Sequence, residues 1–226
     1  MPDGIYAVAG SLVRASAPAR ARLRRAALIR RIAVLAAAAG SEVHTDVALD
    51  AVVEGDVRVV VAPGTSSRLV VGPGARVGRG VRLHLDGADV EVGGWTDLRP
   101  GVVLNVSGRL RIGSSTVLGA GTTVHCAHDV EIGDRVGIGE YSTIVDTSHH
   151  HSEPDKPVVH GTRAGSVQVG DAVFIGTKST LTRNCRVGDF AFVGAGSVVV
   201  GEVPARRFFS GVPARDVGAV TVPWEA

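Results

Sequence analysis

The chain has 226 residues, 45% hydrophobic, 20% charged and only 4% aromatic, with a formal net charge of +2. That is enough apolar material for one sizeable core and excludes a disordered polar chain; the near-balanced charge, with no RNA- or DNA-binding motif, gives no basis for a nucleic-acid partner. Cys126 and Cys185 are too few for a disulfide framework and read as small buried residues of a reducing, cytoplasmic compartment, and no apolar run approaches the ~20 residues of a membrane span.

Residues 1–42 form a cationic segment. Between Asp3 and Glu42 there is no acidic residue, but there are seven arginines: 14, 20, 22, 24, 25, 30 and 31. The alanine-, leucine- and arginine-rich stretch from Ala19 to Ala39 predicts a helix, with Pro18 near its start and Gly40 ending it. Three readings compete. The helix covers the open first coil of the core; or it lies on an anionic membrane surface at the inner face, its arginines beside Leu23, Leu28, Ile29, Ile32 and Leu35; or Ile32–Ala39 is the short apolar core of a secretory signal. The repeat that follows gives export no support.

Residues 43–218 form the main domain, and from about residue 57 it is a repeat. Val169, Ile175, Leu181, Val187, Val193 and Val199 fall six apart without interruption, four of them followed by glycine. Upstream the same beat recurs in threes: Val71, Val77, Leu83; Val92, Leu98, Leu104; Ile112, Leu118, Val124; Ile132, Ile138, Ile144. A helix returns its apolar face every 3.6 residues and cannot produce this spacing. Short strands joined by corners can, each aliphatic side chain pointing inward and stacking on its counterpart one coil away, about 4.8 Å along the axis. Ser179, Cys185, Ala191 and Ser197, four places on, are small enough for crowded corners. The two extra residues between Leu104 and Ile112, and again between Val124 and Ile132, predict bulges in those coils.

The stretches VEIGDRVGIGEYSTIVD, VQVGDAVFIGTKSTLTRNCRVGDFAFVGAGSVVV and FFSGVPARDVG resemble the hexapeptide-repeat acyltransferases, similar to the maltose and galactoside O-acetyltransferases and to acetyltransferases of bacterial surface polysaccharides. The strong part spans residues 112–218; residues 57–111 share only the rhythm. The resemblance implies an all-β, left-handed parallel β-helix with three hexads per coil and a short N-terminal helical appendage, an exception to right-handed parallel crossovers. It also implies a homotrimer with sites between subunits. The activity implied is transfer of an acetyl or other acyl group from coenzyme A to a hydroxyl or amine of a sugar or other small acceptor, with acetyl-CoA as donor and no metal. Phe174 stands where relatives commonly have tryptophan, at the donor tunnel.

The largest break in the rhythm, Ile144 to Val169, predicts a projecting loop over 145–168, holding His149, His150, His151 and His160. Acyl transfer from a thioester needs a base and oxyanion donors, and a neutral imidazole suffices as the base. In relatives the catalytic histidine follows an aspartate in this loop, so IVDTSH nominates His149, with Asp146 holding either the loop or the ring; His150 and His151 read as solvated tip residues. For the donor, the resemblance implies main-chain contacts at Thr177, Ala195 and Gly196 and phosphate contacts from Arg215, with Arg206 and Arg207 as further phosphate partners or a solvated basic patch. Two other readings remain: a zinc protein like the γ-class carbonic anhydrases, using His125, His128 and loop histidines, although the spacing does not match; and a non-catalytic trimeric β-helix binding module. Residues 219–226 form a C-terminal tail.

Overall fold

The computed structural model describes residues 19–149 and 161–220. One helix, α1 (Ala19–Ala38), precedes a chain that winds as short parallel strands into a three-sided prism, one strand per side per coil. The eighteen hexad aliphatics explain the winding. In the strand register they sort into three inward columns, one per face: Val71, Val92, Ile112, Ile132, Val169 and Val187 on the first; Val77, Leu98, Leu118, Ile138, Ile175 and Val193 on the second; Leu83, Leu104, Val124, Ile144, Leu181 and Val199 on the third. Every one is 5% exposed or less. Truncating any of these to alanine leaves a void the stack cannot close, typically costing about 2–5 kcal/mol for leucine or isoleucine.

Corner one joins the first face to the second, corner two the second to the third, and corner three returns the chain to the first. Small side chains fill the corners: Thr96, Thr116, Thr122, Ser142, Ser179 and Ser197 are all buried. Their hydroxyls stay satisfied by reaching the next coil; Thr116 Oγ1 donates to Gly133 O at 2.8 Å and Ser179 Oγ to Gly194 O at 3.1 Å. The extra residues after Leu104 and Val124 do not bulge. They lengthen the strands to Val103–Val106, Arg109–Ile112, Thr123–Cys126 and Asp129–Ile132, which adds inward residues Val106, Leu110, Cys126 and Val130, all buried. An ordinary hexad has one small inward residue at this corner, as Cys185 between Leu181 and Val187; each added pair replaces it with two inward residues, a net gain of one core and one outward position.

The coils begin before residue 57: Glu42–Val47 already pairs with Ser66–Val71. Over this open end lies α1, with Leu28, Ile32 and Ala36 buried against the core. Its arginines serve the same end, since Arg25 Nη1 donates to Val47 O at 2.8 Å, Arg31 Nη1 to Val57 O at 3.2 Å, and Arg24 to Glu54 O. A first coil has no coil beneath it, so its outward-facing carbonyls need other donors; of the three readings of the cationic segment, the structure shows the cap. Gly40 ends the helix in the left-handed conformation (φ 61°), with Gly40 N–H donating to Ala37 O and Ser41 N–H to Ala36 O. Among the described residues no helix is long and apolar enough to cross a membrane.

Candidate active site

Corners one and two are built alike but finished differently. At corner one three successive turns have the N–H of their second residue capped by an aspartate from the next coil. Ser114 N–H donates to Asp134 Oδ1 at 2.7 Å, Asp134 N–H to Asp171 Oδ1 at 2.8 Å, and Asp171 N–H to Asp189 Oδ1 at 2.8 Å. At corner two the matching residues are Ala120, Glu140, Thr177 and Ala195, and no hydrogen bond within the described residues reaches their N–H groups. Their neighbours on either side are bonded: Gly139 N–H to Ile175 O, Tyr141 N–H to Ala120 O, Gly176 N–H to Val193 O, Gly196 N–H to Thr177 O. Corner two therefore presents a row of unused donors, one per coil. These residues lie at or near the surface, so the row is open to solvent and can exchange water for the carbonyls of an extended ligand.

Of the residues nominated for the donor, Thr177 and Ala195 belong to this row. Gly196 does not, since its N–H is spent on Thr177 O; its left-handed φ of 68° makes the turn instead. The C-terminal hairpin, Arg207–Gly211 against Ala214–Ala219, folds over the top of this corner: Arg215 pairs with Ser210, and Gly211 N–H donates to Ser197 Oγ at 3.1 Å. Arg215 is exposed there. The other two arginines are engaged. Arg207 binds the Asp216 carboxylate through Nε and Nη2, at 3.0 and 2.6 Å, and Arg206 stacks on the Phe190 ring at corner one, 4.7 Å from its centroid.

The predicted loop leaves from corner three as an antiparallel pair, Thr147–His149 against Thr162–Ala164, with His149 exposed at its outer end opposite Thr162. His150, His151 and His160 lie outside the described residues. At the base Asp146 is fully buried, and its carboxylate accepts three backbone N–H groups of the preceding coil: Ala127 at 3.0 Å on Oδ1, His128 at 2.7 Å and Asp129 at 2.8 Å on Oδ2. Asp146 thus clamps the root of the loop to corner three. Arg183 Nε adds a second tether, to Ser148 Oγ at 3.1 Å.

One rung below the loop, a polar chain crosses the third face. His84 Nδ1 donates to Asn105 Oδ1 at 2.8 Å, and Asn105 Nδ2 donates to His125 Nδ1 at 3.3 Å. Asn105 thereby links the two rings through one amide. His128 is exposed at corner three. Among the described residues no group of three histidine, cysteine, aspartate or glutamate side chains is placed to hold a metal ion.

In one chain the two groups of nominated residues do not meet: Thr177, Ala195 and Arg215 belong to corner two, His149 and Asp146 to corner three, with the third face between. Sequence reasoning missed Ala120, Glu140 and the Asn105 chain. The signal for the first two was present, because aspartate follows the hexad glycine in the last three hexad turns of corner one (IGD, VGD, VGD), though not in the earlier VGG and IGS, and never at corner two (LGA, IGE, IGT, VGA).

No protein-family model matches the sequence. The chain is 29% identical over 154 residues to a probable acetyltransferase of Mycobacterium tuberculosis, a match covering 66% of this chain and 51% of that protein. It superposes on the hexapeptide-repeat acetyltransferase of Vibrio cholerae with a TM-score of 0.54 at 23% identity, covering 58% of this chain and 74% of the other. The chain has the left-handed parallel β-helix fold of the hexapeptide-repeat acyltransferases. A further structure with this fold is AntD, an N-acyltransferase from Bacillus cereus in complex with dTDP and 3-hydroxybutyryl-CoA, with a TM-score of 0.53 at 19% identity over 78% of this chain and 83% of the other. The chain spans about half the length of that mycobacterial relative.

Proposed function

We propose that this β-helix transfers an acyl group, acetyl in the simplest case, from coenzyme A to a hydroxyl or amine of a sugar or other small acceptor. The observation that carries this reading is the row of unused N–H donors at Ala120, Glu140, Thr177 and Ala195, with Arg215 at its upper end. An extended pantetheine arm has amide carbonyls for the row, and its phosphates suit an arginine fork. AntD, on the same fold, holds an acyl-CoA.

In this reading His149 is the general base. Its imidazole takes the proton from the acceptor hydroxyl or amine as that atom attacks the thioester carbonyl; the tetrahedral intermediate collapses, the carbon–sulfur bond breaks, and the imidazolium returns the proton to the departing thiolate. Asp146 holds the loop rather than touching the reactants. Because donor row and histidine loop occupy different corners, a neighbouring copy must bring its loop to the row, which is the basis for a homotrimer with shared sites. A cytoplasmic location follows from the donor.

Stabilisation by acetyl-CoA, transfer from labelled acetyl-CoA to an acceptor panel, and light scattering test the reading together. Saturating donor at a hundred times its dissociation constant adds about 2.7 kcal/mol to a protein that binds it. A monomer, or a trimer indifferent to acetyl-CoA, contradicts it.

A further inference from the structure

Gly137 breaks a row that is otherwise filled. The outward residues of the second face run in register as Asp97, Val117, Gly137, Phe174, Phe192 and Phe208. The phenylalanines pack on one another, Phe174 on Phe192 with centroids 4.9 Å apart and Phe192 on Phe208 edge-on at 5.1 Å. At Gly137 the row has no side chain.

The fold does not require glycine there. At Gly119 an added Cβ would sit 2.6 Å from the backbone of the next coil, so that position demands glycine. Gly137 has no such φ, lies in the strand Gly137–Ile138, and an added Cβ would meet only the Phe174 ring, at 3.2 Å. Strands favour β-branched residues, and a glycine in one weakens it. What the glycine provides is room. It forms the floor of a groove of about 390 Å³ walled by Val117, Phe174, Pro100 and Ala120 and reaching Glu140 and Thr177.

The groove opens onto the lower rungs of the donor row. Ala195 and Ala120 are three coil steps apart, about 14 Å at ~4.8 Å per step. A donor whose phosphates lie at Arg215 and whose arm descends the row brings its thioester to Glu140 and Ala120, beside the notch. We propose that the Gly137 notch receives the acyl group and is shaped for straight apolar chains longer than acetyl; this rests on the coenzyme A reading above. Acetyl places one methyl in a groove with two apolar side walls, whereas a four- to six-carbon chain lies along Val117 and Phe174.

Calorimetric titration of the full chain with coenzyme A, acetyl-CoA, butyryl-CoA and hexanoyl-CoA tests this. Full burial of a methylene is worth about fourfold in affinity, and in an open groove about twofold, so hexanoyl-CoA should bind wild type at least tenfold more tightly than acetyl-CoA. Gly137→Val fills the notch, with the Phe174 ring giving way to a Cβ only 3.2 Å from it, and should erase that gain while coenzyme A, which has no acyl group, reports that the donor row is intact. Val117→Phe, which narrows the notch from the opposite wall, should do the same and decides the matter if Gly137→Val does not fold. If coenzyme A binds but chain length makes no difference, or if the gain survives in the folded variants, the notch assignment is overturned and the donor reading stands. If coenzyme A itself does not bind, the donor reading has failed and the notch falls with it.

Discussion

Replacing Asp146 separates a clamp from a catalytic partner. Its carboxylate is buried and accepts the N–H groups of Ala127, His128 and Asp129 at 2.7–3.0 Å. Hydrogen bonds to a charged acceptor are worth roughly 1.5–3 kcal/mol each, so three set a ceiling of about 5–9 kcal/mol. Ala127 and His128 are themselves exposed, so water can take over part of the load when the carboxylate is removed. The expected cost of Asp146→Ala is therefore about 2–4 kcal/mol. Asp146→Asn, which keeps one acceptor oxygen but turns an amide toward a donor, should fall between alanine and wild type. Urea denaturation at fixed protein concentration measures both, with the midpoint moving and the slope unchanged. An Asp146→Ala variant within about 0.5 kcal/mol of wild type would refute the clamp. A variant of full stability and collapsed turnover would instead make Asp146 a partner of the histidine ring.

Deleting residues 1–39 should destabilise or aggregate the protein, because Leu28, Ile32 and Ala36 leave the core and the Val47, Glu54 and Val57 carbonyls lose their arginine donors; a soluble, folded truncation in circular dichroism would contradict the cap. His149→Ala should lower transfer by a factor of about 10² to 10⁴ while leaving acetyl-CoA binding intact, and His150→Ala and His151→Ala should stay active; a dead His150 or His151 variant beside an active His149→Ala would move the base. Burial pushes the Cys126 and Cys185 thiols up to about 12, so both remain protonated through pH 9 and should resist a thiol reagent until the protein is unfolded; rapid native labelling of either would show that its coil opens.

Much of the fold was written in one dimension. The six-residue spacing placed all eighteen hexad aliphatics inside, because a column repeats at a fixed interval whatever lies outside it. The loop was legible as the gap between Ile144 and Val169. Other features depend on pairings across coils and left no local trace. The two extra residues after Leu104 could equally have bulged outward, and only a neighbouring coil of the same length, with Val106 stacked on Cys126, makes them strand. The arginines of α1 also allowed a reading as membrane contacts until the open carbonyls beneath them are seen. Arg206 and Arg207 looked as free as Arg215, but Phe190 and Asp216, one from a different coil and one from the returning hairpin strand, engage them. At the site, Thr177 and Ala195 came from resemblance, whereas the contrast between corners that explains them needed the Asp134, Asp171 and Asp189 caps.

The most direct test of the donor row uses proline. Pro100 already occupies the position one coil below Ala120, so the turn accommodates the ring, and Ala195→Pro or Thr177→Pro deletes a single N–H while preserving the corner. Calorimetric titration with coenzyme A should show each variant folded and binding about 2- to 12-fold more weakly than wild type, the worth of one hydrogen bond, with the double variant weaker still. Folded proline variants that bind coenzyme A as tightly as wild type would contradict the account.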